Sequence, residues 1–167
     1  MKLKNKVAFI TGGGRGIGGA IAKGLAEAGA DIVLVSRTEQ QLQERAELIR
    51  ERTGRSVLVV PADVGDPEQV QNAVDQAVRE FGRINILVNC AGITMVSPSE
   101  SLSLENWHRC LRINLDGTFL CCQKVGQHMI RRGEGGKIIN ITSIVAHAAI
   151  PERAAYAASK GGGMQLT

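Results

Sequence analysis

The stretch Thr11-Gly-Gly-Gly-Arg-Gly-Ile-Gly-Gly19 constrains this chain more than any other part of it. The apolar run Val7-Ala8-Phe9-Ile10 before it reads as a buried strand, and residues 20–26 after it read as the start of a helix. Strand, glycine loop and helix, in that order, make a phosphate-binding arrangement. Glycine lets the backbone turn tightly and approach a pyrophosphate, while the free amides and dipole of the first helical turn supply positive potential. The spacing alone leaves two templates open. Gly14, Gly16 and Gly19 fit the usual dinucleotide pattern, and Gly12, Gly16 and Gly18 fit a wider one.

The remaining apolar runs repeat the strand-then-helix theme. Strands are predicted over 6–10, 32–35, 57–60, 84–88 and 138–141. The first helix runs to about Ala28, with Gly29 placed to end it. Thr38 with Gln41 suggests a capping box for a helix through Gln43, Leu48 and Ile49, stopped by Gly54. Asp66-Pro67-Glu68 is a strong helix start, and the helix it opens carries Val70, Val74, Ala77, Val78 and Phe81 on one face before Gly82. A long helical region is predicted over 104–132, and a last helix from Tyr156 onward. Short apolar strands alternating with helices predict an α/β fold with a doubly wound parallel sheet of Rossmann type, strand order 3-2-1-4-5. The 167 residues suit one dinucleotide-binding domain, 1–167, with its ligand at the carboxyl ends of the strands, near the switch between strands 1 and 4.

Composition excludes several classes. The net charge of +4 is scattered, and aromatics at 3% leave few stacking platforms, which argues against nucleic acid. No apolar run approaches the ~20 residues that span a bilayer, so no membrane segment is expected and the cytoplasm is the default compartment. Cys90, Cys110, Cys121 and Cys122 lack metal-ligand spacing and read as reduced, mostly buried thiols. His108, His128 and His147 form no metal motif, so no metal is expected.

Four loops on the carboxyl side of the predicted sheet carry suggestive residues: the glycine stretch, Asp63, Asn89 to Gly92, and Ser143. Tyr156 and Lys160 stand one helical turn apart, on the same face of the last helix. An ammonium beside a phenol favours the phenolate, which makes a tyrosine usable as a general acid and base. Ser143 would add a hydrogen bond to a carbonyl oxygen. Taken alone, a Tyr-x-x-x-Lys pair is an ordinary helix-surface feature. Cofactor choice has a local argument. An acid usually ends strand 2 where a ribose 2′-hydroxyl must be bound, and here Val35 is followed by Ser36 and Arg37. Arg37 with Arg15 would clamp a 2′-phosphate, which favours NADP(H) over NAD(H), the latter remaining usable. Two solvated loop arginines are the plain alternative.

In order along the chain, Thr11-Gly-Gly-Gly-Arg-Gly-Ile-Gly18, Asp63-Val64, Asn89-Cys-Ala-Gly92, Asn114, Ser143 and Tyr156-Ala-Ala-Ser-Lys160 resemble the motifs of the short-chain dehydrogenase/reductase family from Lys6 onward. The resemblance implies that Tyr156 protonates a nascent alkoxide, that Lys160 assists it and binds the nicotinamide ribose, and that Ser143 holds the substrate carbonyl. It implies that Asn114 positions a water that relays protons to Lys160. It further implies that Gly12, Gly14, Arg15, Gly16, Ile17 and Gly18 cradle the cofactor, that Asp63 and Val64 meet the adenine, that Asn89 braces the central strands, and that Ala91 and Gly92 line the cofactor. Taken by themselves, Asn114 reads as a helix-interior polar residue and Asn89 as a turn residue.

The expected function is hydride transfer between NADP(H) and a ketone or secondary alcohol, by a homo-oligomer, dimer or tetramer. Within the family it resembles 3-oxoacyl-carrier-protein reductases and gluconate 5-dehydrogenase-like members. Residues 145–153, which face the substrate in that family, single out no substrate, and His147 reads as an exposed loop residue. Family members continue beyond the position equivalent to Thr167, with further strands and a substrate loop, so an exposed strand 5, an open pocket, weak cofactor binding and little turnover are expected of the chain as it stands, and competent reduction of the complete protein. A nucleotide-binding module without turnover is the alternative reading.

Overall fold

The computed structural model describes residues 1–167. Five parallel strands form one sheet in the order β3-β2-β1-β4-β5, as predicted. They are β1 (Val7–Thr11), β2 (Asp31–Ser36), β3 (Val57–Pro61), β4 (Ile86–Asn89) and β5 (Lys137–Asn140). The helices are α1 (Gly16–Glu27), α2 (Glu39–Thr53), α3 (Pro67–Phe81), α4 (Leu104–Leu111), α5 (Gly117–Arg132) and α6 (Ala154–Gln165). In β1 the side chains alternate between two cores, because successive residues of a strand face opposite ways. Val7 and Phe9 pack with Val70 and Val74 of α3 and Val125 and Met129 of α5. Ala8 and Ile10 pack with Ala22 and Ala26 of α1 and Leu42, Ala46 and Ile49 of α2. The apolar strands are continuous because both faces of the sheet are covered.

The helix boundaries follow local chemistry, with three differences from expectation. Asp66 caps α3 as predicted, accepting from the amides of Gln69 and Glu68, and its bonds from the main-chain and side-chain amides of Gln69, with that from Glu68, hold its carboxyl below the ordinary value. Thr38 stands at the N-cap of α2, but its side chain makes no capping bond. Gln41, the would-be partner in the box, instead packs under the glycine loop, where a Cβ on Gly14 would lie 3.2 Å from its Cβ. The long helix over 104–132 is broken by one π-helical turn, Arg112–Asp116, in which the amide of Gly117 donates to the carbonyl of Arg112. And α6 begins at Ala154, its first bond running from the amide of Ala157 to the carbonyl of Arg153 at 2.7 Å, so Tyr156 lies inside the first turn.

β5 pairs only with β4 and exposes Ile138 and Ile139 at 39% and 44%, as expected of an uncovered edge. It begins and ends one residue earlier than predicted, which leaves Ile141 in the loop at its carboxyl end. Of the cysteines, Cys110 and Cys121 are buried and Cys90 and Cys122 half-buried; all four are free thiols, and burial pushes Cys121 up to about 12. No helix is long and apolar enough to cross a membrane.

Candidate active site

The carboxyl ends of β1, β2, β3, β4 and β5 open onto a cleft of about 450 Å³. It sits where β1 meets β4, the point at which the strand order reverses. Gly12, Gly14, Arg15, Gly16, Ile17 and Gly18 form one wall, Arg37 and the Asp63-Val64 pair another, and Ala91, Gly92, Tyr156 and Lys160 line it as well. Thirteen of the sequence-predicted residues are thus brought together. Asn89, Asn114 and Ser143 are not on the cleft wall.

The glycine loop is shaped for close approach. Gly12 has φ +65°, and a Cβ there would lie 2.9 Å from the amide nitrogen of Ala91, so the two loops touch backbone to backbone. Gly16, at φ +54°, has open space where its Cβ would be, beside the free amides of the first turn of α1. Thr11, at the end of β1, fixes the neighbouring loop. Its buried Oγ1 accepts from the amides of Cys90 and Ala91 at 3.0 and 3.1 Å. The hydroxyl of Ser36, buried on the cleft wall at the end of β2, has no protein partner. Arg15 and Arg37 are exposed, and neither is among the four ion pairs of the fold. An anion-binding loop, an unpartnered buried hydroxyl and two unpaired guanidinium groups fit a phosphorylated dinucleotide.

At the other end, Lys160 is 9% exposed, and its Nζ donates to the carbonyl of Ile141 at 2.7 Å. The same Nζ is 5.8 Å from the ring centroid of Tyr156. Burial pushes Lys160 below the usual lysine value, with Cys90 and Cys110 pulling the other way. Burial raises Cys90, against the opposing pull of the Lys160 ammonium. Ser143 precedes a short 3₁₀ turn, Ile144–Ala146, and its Oγ accepts from the amide of Val145 at 3.4 Å, leaving its own hydrogen free to donate.

Asn114 sits in the π turn with its side-chain amide hydrogen-bonded at both ends. Its Oδ1 accepts from the amide of Ile93 at 2.8 Å, and its Nδ2 donates to the carbonyl of Ile93 at 2.8 Å and to Ser159 Oγ at 3.0 Å. Ser159 in turn donates to the carbonyl of Tyr156 at 2.7 Å. This places the loop after β4, the π turn and the first turn of α6 in one network. Asn89, expected to brace the central strands, ties β4 to the edge strand β5, its Nδ2 donating to Asn140 Oδ1 at 2.9 Å. Sequence reasoning assigned no role to Thr11, Ser36, Ile141 or Ser159. Only Thr11 and Ser36 carried a local signal, each being a hydroxyl at the carboxyl end of a strand that leads into the cleft.

Residues 6–167 match the family model described as short chain dehydrogenase. The chain belongs to the short-chain dehydrogenase family. It is 43% identical over 165 residues to an uncharacterized oxidoreductase of Thermotoga maritima, covering 99% of this chain and 64% of that protein. It is 44% identical to a D-threitol dehydrogenase of Mycolicibacterium smegmatis, covering 96% of this chain and 61% of that one. Among solved structures, NAD⁺-bound xylitol dehydrogenase superposes with a TM-score of 0.96 at 34% identity, over 100% of this chain and 64% of that one. The chain therefore spans less than two thirds of the length of these relatives.

Proposed function

We propose that the protein is an oxidoreductase that moves a hydride between NADP(H) and a ketone or secondary alcohol, a polyol or sugar-derived substrate being the class suggested by the threitol and xylitol dehydrogenases it resembles. The observation that carries the reading is the meeting, in one cleft, of the glycine loop with the Tyr156–Lys160 pair. Gly12, Gly14, Gly16, Ile17 and Gly18 would hold the pyrophosphate, Asp63 and Val64 the adenine, and Ala91 and Gly92 the cofactor's flank. Bound there, the nicotinamide supplies or takes up a hydride.

Tyr156 gives its phenolic proton to the forming alkoxide oxygen, or takes it back in the reverse direction. Lys160 places positive charge beside the phenol, and its bond to the carbonyl of Ile141 fixes where that charge sits. Ser143, off the cleft wall but next in the chain to its Thr142, would donate its free hydrogen to a substrate oxygen placed beyond the cofactor cleft. Asn114 would position the water that relays protons to Lys160; its Nδ2 hydrogens are committed to Ile93 and Ser159, so the water would donate to an oxygen of the residue. Exposed Leu104 on α4 and Phe119 on α5 support pairing with further copies of the chain.

NADP(H) is favoured because β2 ends in Ser36 with Arg37 next rather than in a carboxylate, while Arg37 and Arg15 face the cleft beside the unpartnered Ser36 hydroxyl. Calorimetric titration tests this. NADPH is expected to bind about ten-fold or more tighter than NADH, and Arg37→Asp to reverse the order. Equal affinity for the two would overturn the assignment.

A further inference from the structure

The π turn Arg112–Asp116 touches both ends of the cleft. At the catalytic end Asn114 ties Ile93 to α6. At the other end Arg112 reaches the loop after β3. Its Nη1 and Nη2 each lie 3.4 Å from Asp63 Oδ2, and Nη1 lies 3.2 Å from the carbonyl oxygen of Gly65. A Cβ on Gly65 would come within 2.6 Å of that Nη1, so the guanidinium is packed onto the loop backbone. Just after the turn, Gly117 packs on the same loop, where a Cβ would come within 2.7 Å of Val64 Cγ2. The second carboxylate oxygen, Asp63 Oδ1, accepts from the amide of Gly65 at 2.9 Å. Both oxygens of Asp63 are therefore held, and Asp63 lines the cleft.

We propose that Arg112 is a positioning residue for base recognition: by holding Asp63 Oδ2 and the Gly65 carbonyl together, it aims the carboxylate at the exocyclic amino group of a purine and so sets a preference for adenine. This rests on the dinucleotide reading given above. An ionised carboxylate only accepts hydrogen bonds, so it pairs with the 6-amino group of adenine and opposes the 6-oxo group of hypoxanthine. A carboxylate free to rotate on a loop loses conformational entropy when it binds; one already held does not. Arginine suits the task because its planar fork spans two acceptors at once, where a lysine ammonium is a single point charge.

The test is calorimetric titration of NADPH and of its hypoxanthine analogue on the wild type, Arg112→Met and Arg112→Lys. The wild type is expected to bind NADPH about ten-fold tighter than the analogue, the worth of one charge-assisted hydrogen bond. Arg112→Met brings that ratio down to about two-fold or less with the analogue's affinity nearly unchanged, and Arg112→Lys falls between. Because both ligands are titrated on one preparation, partial unfolding lowers both affinities and leaves the ratio alone. A ratio in Arg112→Met equal to that of the wild type overturns the proposal and leaves Arg112 as a residue that merely stabilises the loop. A wild type that binds both ligands equally refutes base recognition while sparing the dinucleotide reading. A wild type that binds neither refutes both.

Discussion

The two ends of the cleft are built by different means. The end at the glycine loop rests on β1, β2 and α1, where every residue of β1 is buried and the apolar side chains of both sheet faces interlock. The end at Tyr156 and Lys160 rests on β5 and α6, where the strand exposes most of its side chains and polar bonds do the holding: Asn114 to Ile93 and Ser159, Lys160 to Ile141, Asn140 to Thr167, and Arg153 to Thr94. Apolar packing is non-directional and tolerant, which suits a surface that cradles a large ligand. Hydrogen bonds fix angles, which suits side chains that must meet a reacting atom.

That contrast is broken or sharpened by substitution. The largest effect is expected in the packed half. Phe9 is 1% exposed, and Phe9→Ala is expected to cost about 3–5 kcal/mol in urea unfolding, with hydrogen exchange accelerated throughout the protein. Asn114→Ala removes the partner of both Ile93 backbone groups and is expected to cost about 1–3 kcal/mol, with faster exchange concentrated at Ile93 and the first turn of α6. Faster exchange at β1 to the same degree would erase the distinction between the halves.

A smaller, pH-dependent effect is expected at His128, which ties α5 to the residue leading into β4 by accepting from the amide of Ile84 at 3.2 Å. Burial, aided by Arg132 and Arg131, lowers its folded-state value below the ordinary 6.5. The unfolded chain then binds the proton more readily than the folded one, so stability falls as pH drops below about 6.5 and levels off once the folded imidazole has titrated. Melting points of the wild type and His128→Gln, followed from pH 8 to pH 5, check this: the slope belongs to the wild type and is reduced in the variant.

The same contrast governs what the sequence made legible. Apolar periodicity located every strand to within a residue or two and, with the strand–helix alternation, the sheet order, because the packed half is written in local pattern. The glycine loop was legible because strand, loop and helix are contiguous. The clamps were not: Thr11 meets Cys90 and Ala91 across nearly half the chain, and Asn114 meets Ile93 across a loop and a helix. The π turn had no local signal either, since the bonds of Asn114 and Arg112 that accompany it are tertiary. The Thr38–Gln41 box failed for the opposite reason, a good local signal overridden when Gln41 packed beneath Gly14.

The measurement that bears most directly on the account compares the wild type with Tyr156→Phe, first by NADPH titration and then by oxidation of NADPH with a panel of polyol-derived ketones. The account predicts NADPH affinities within about two-fold of each other, because the ring and its place beside Lys160 remain, and a loss of turnover of about 10²-fold or more in the variant, because the proton donor is gone. Equal turnover in the two proteins, or no NADPH binding by either, would contradict it.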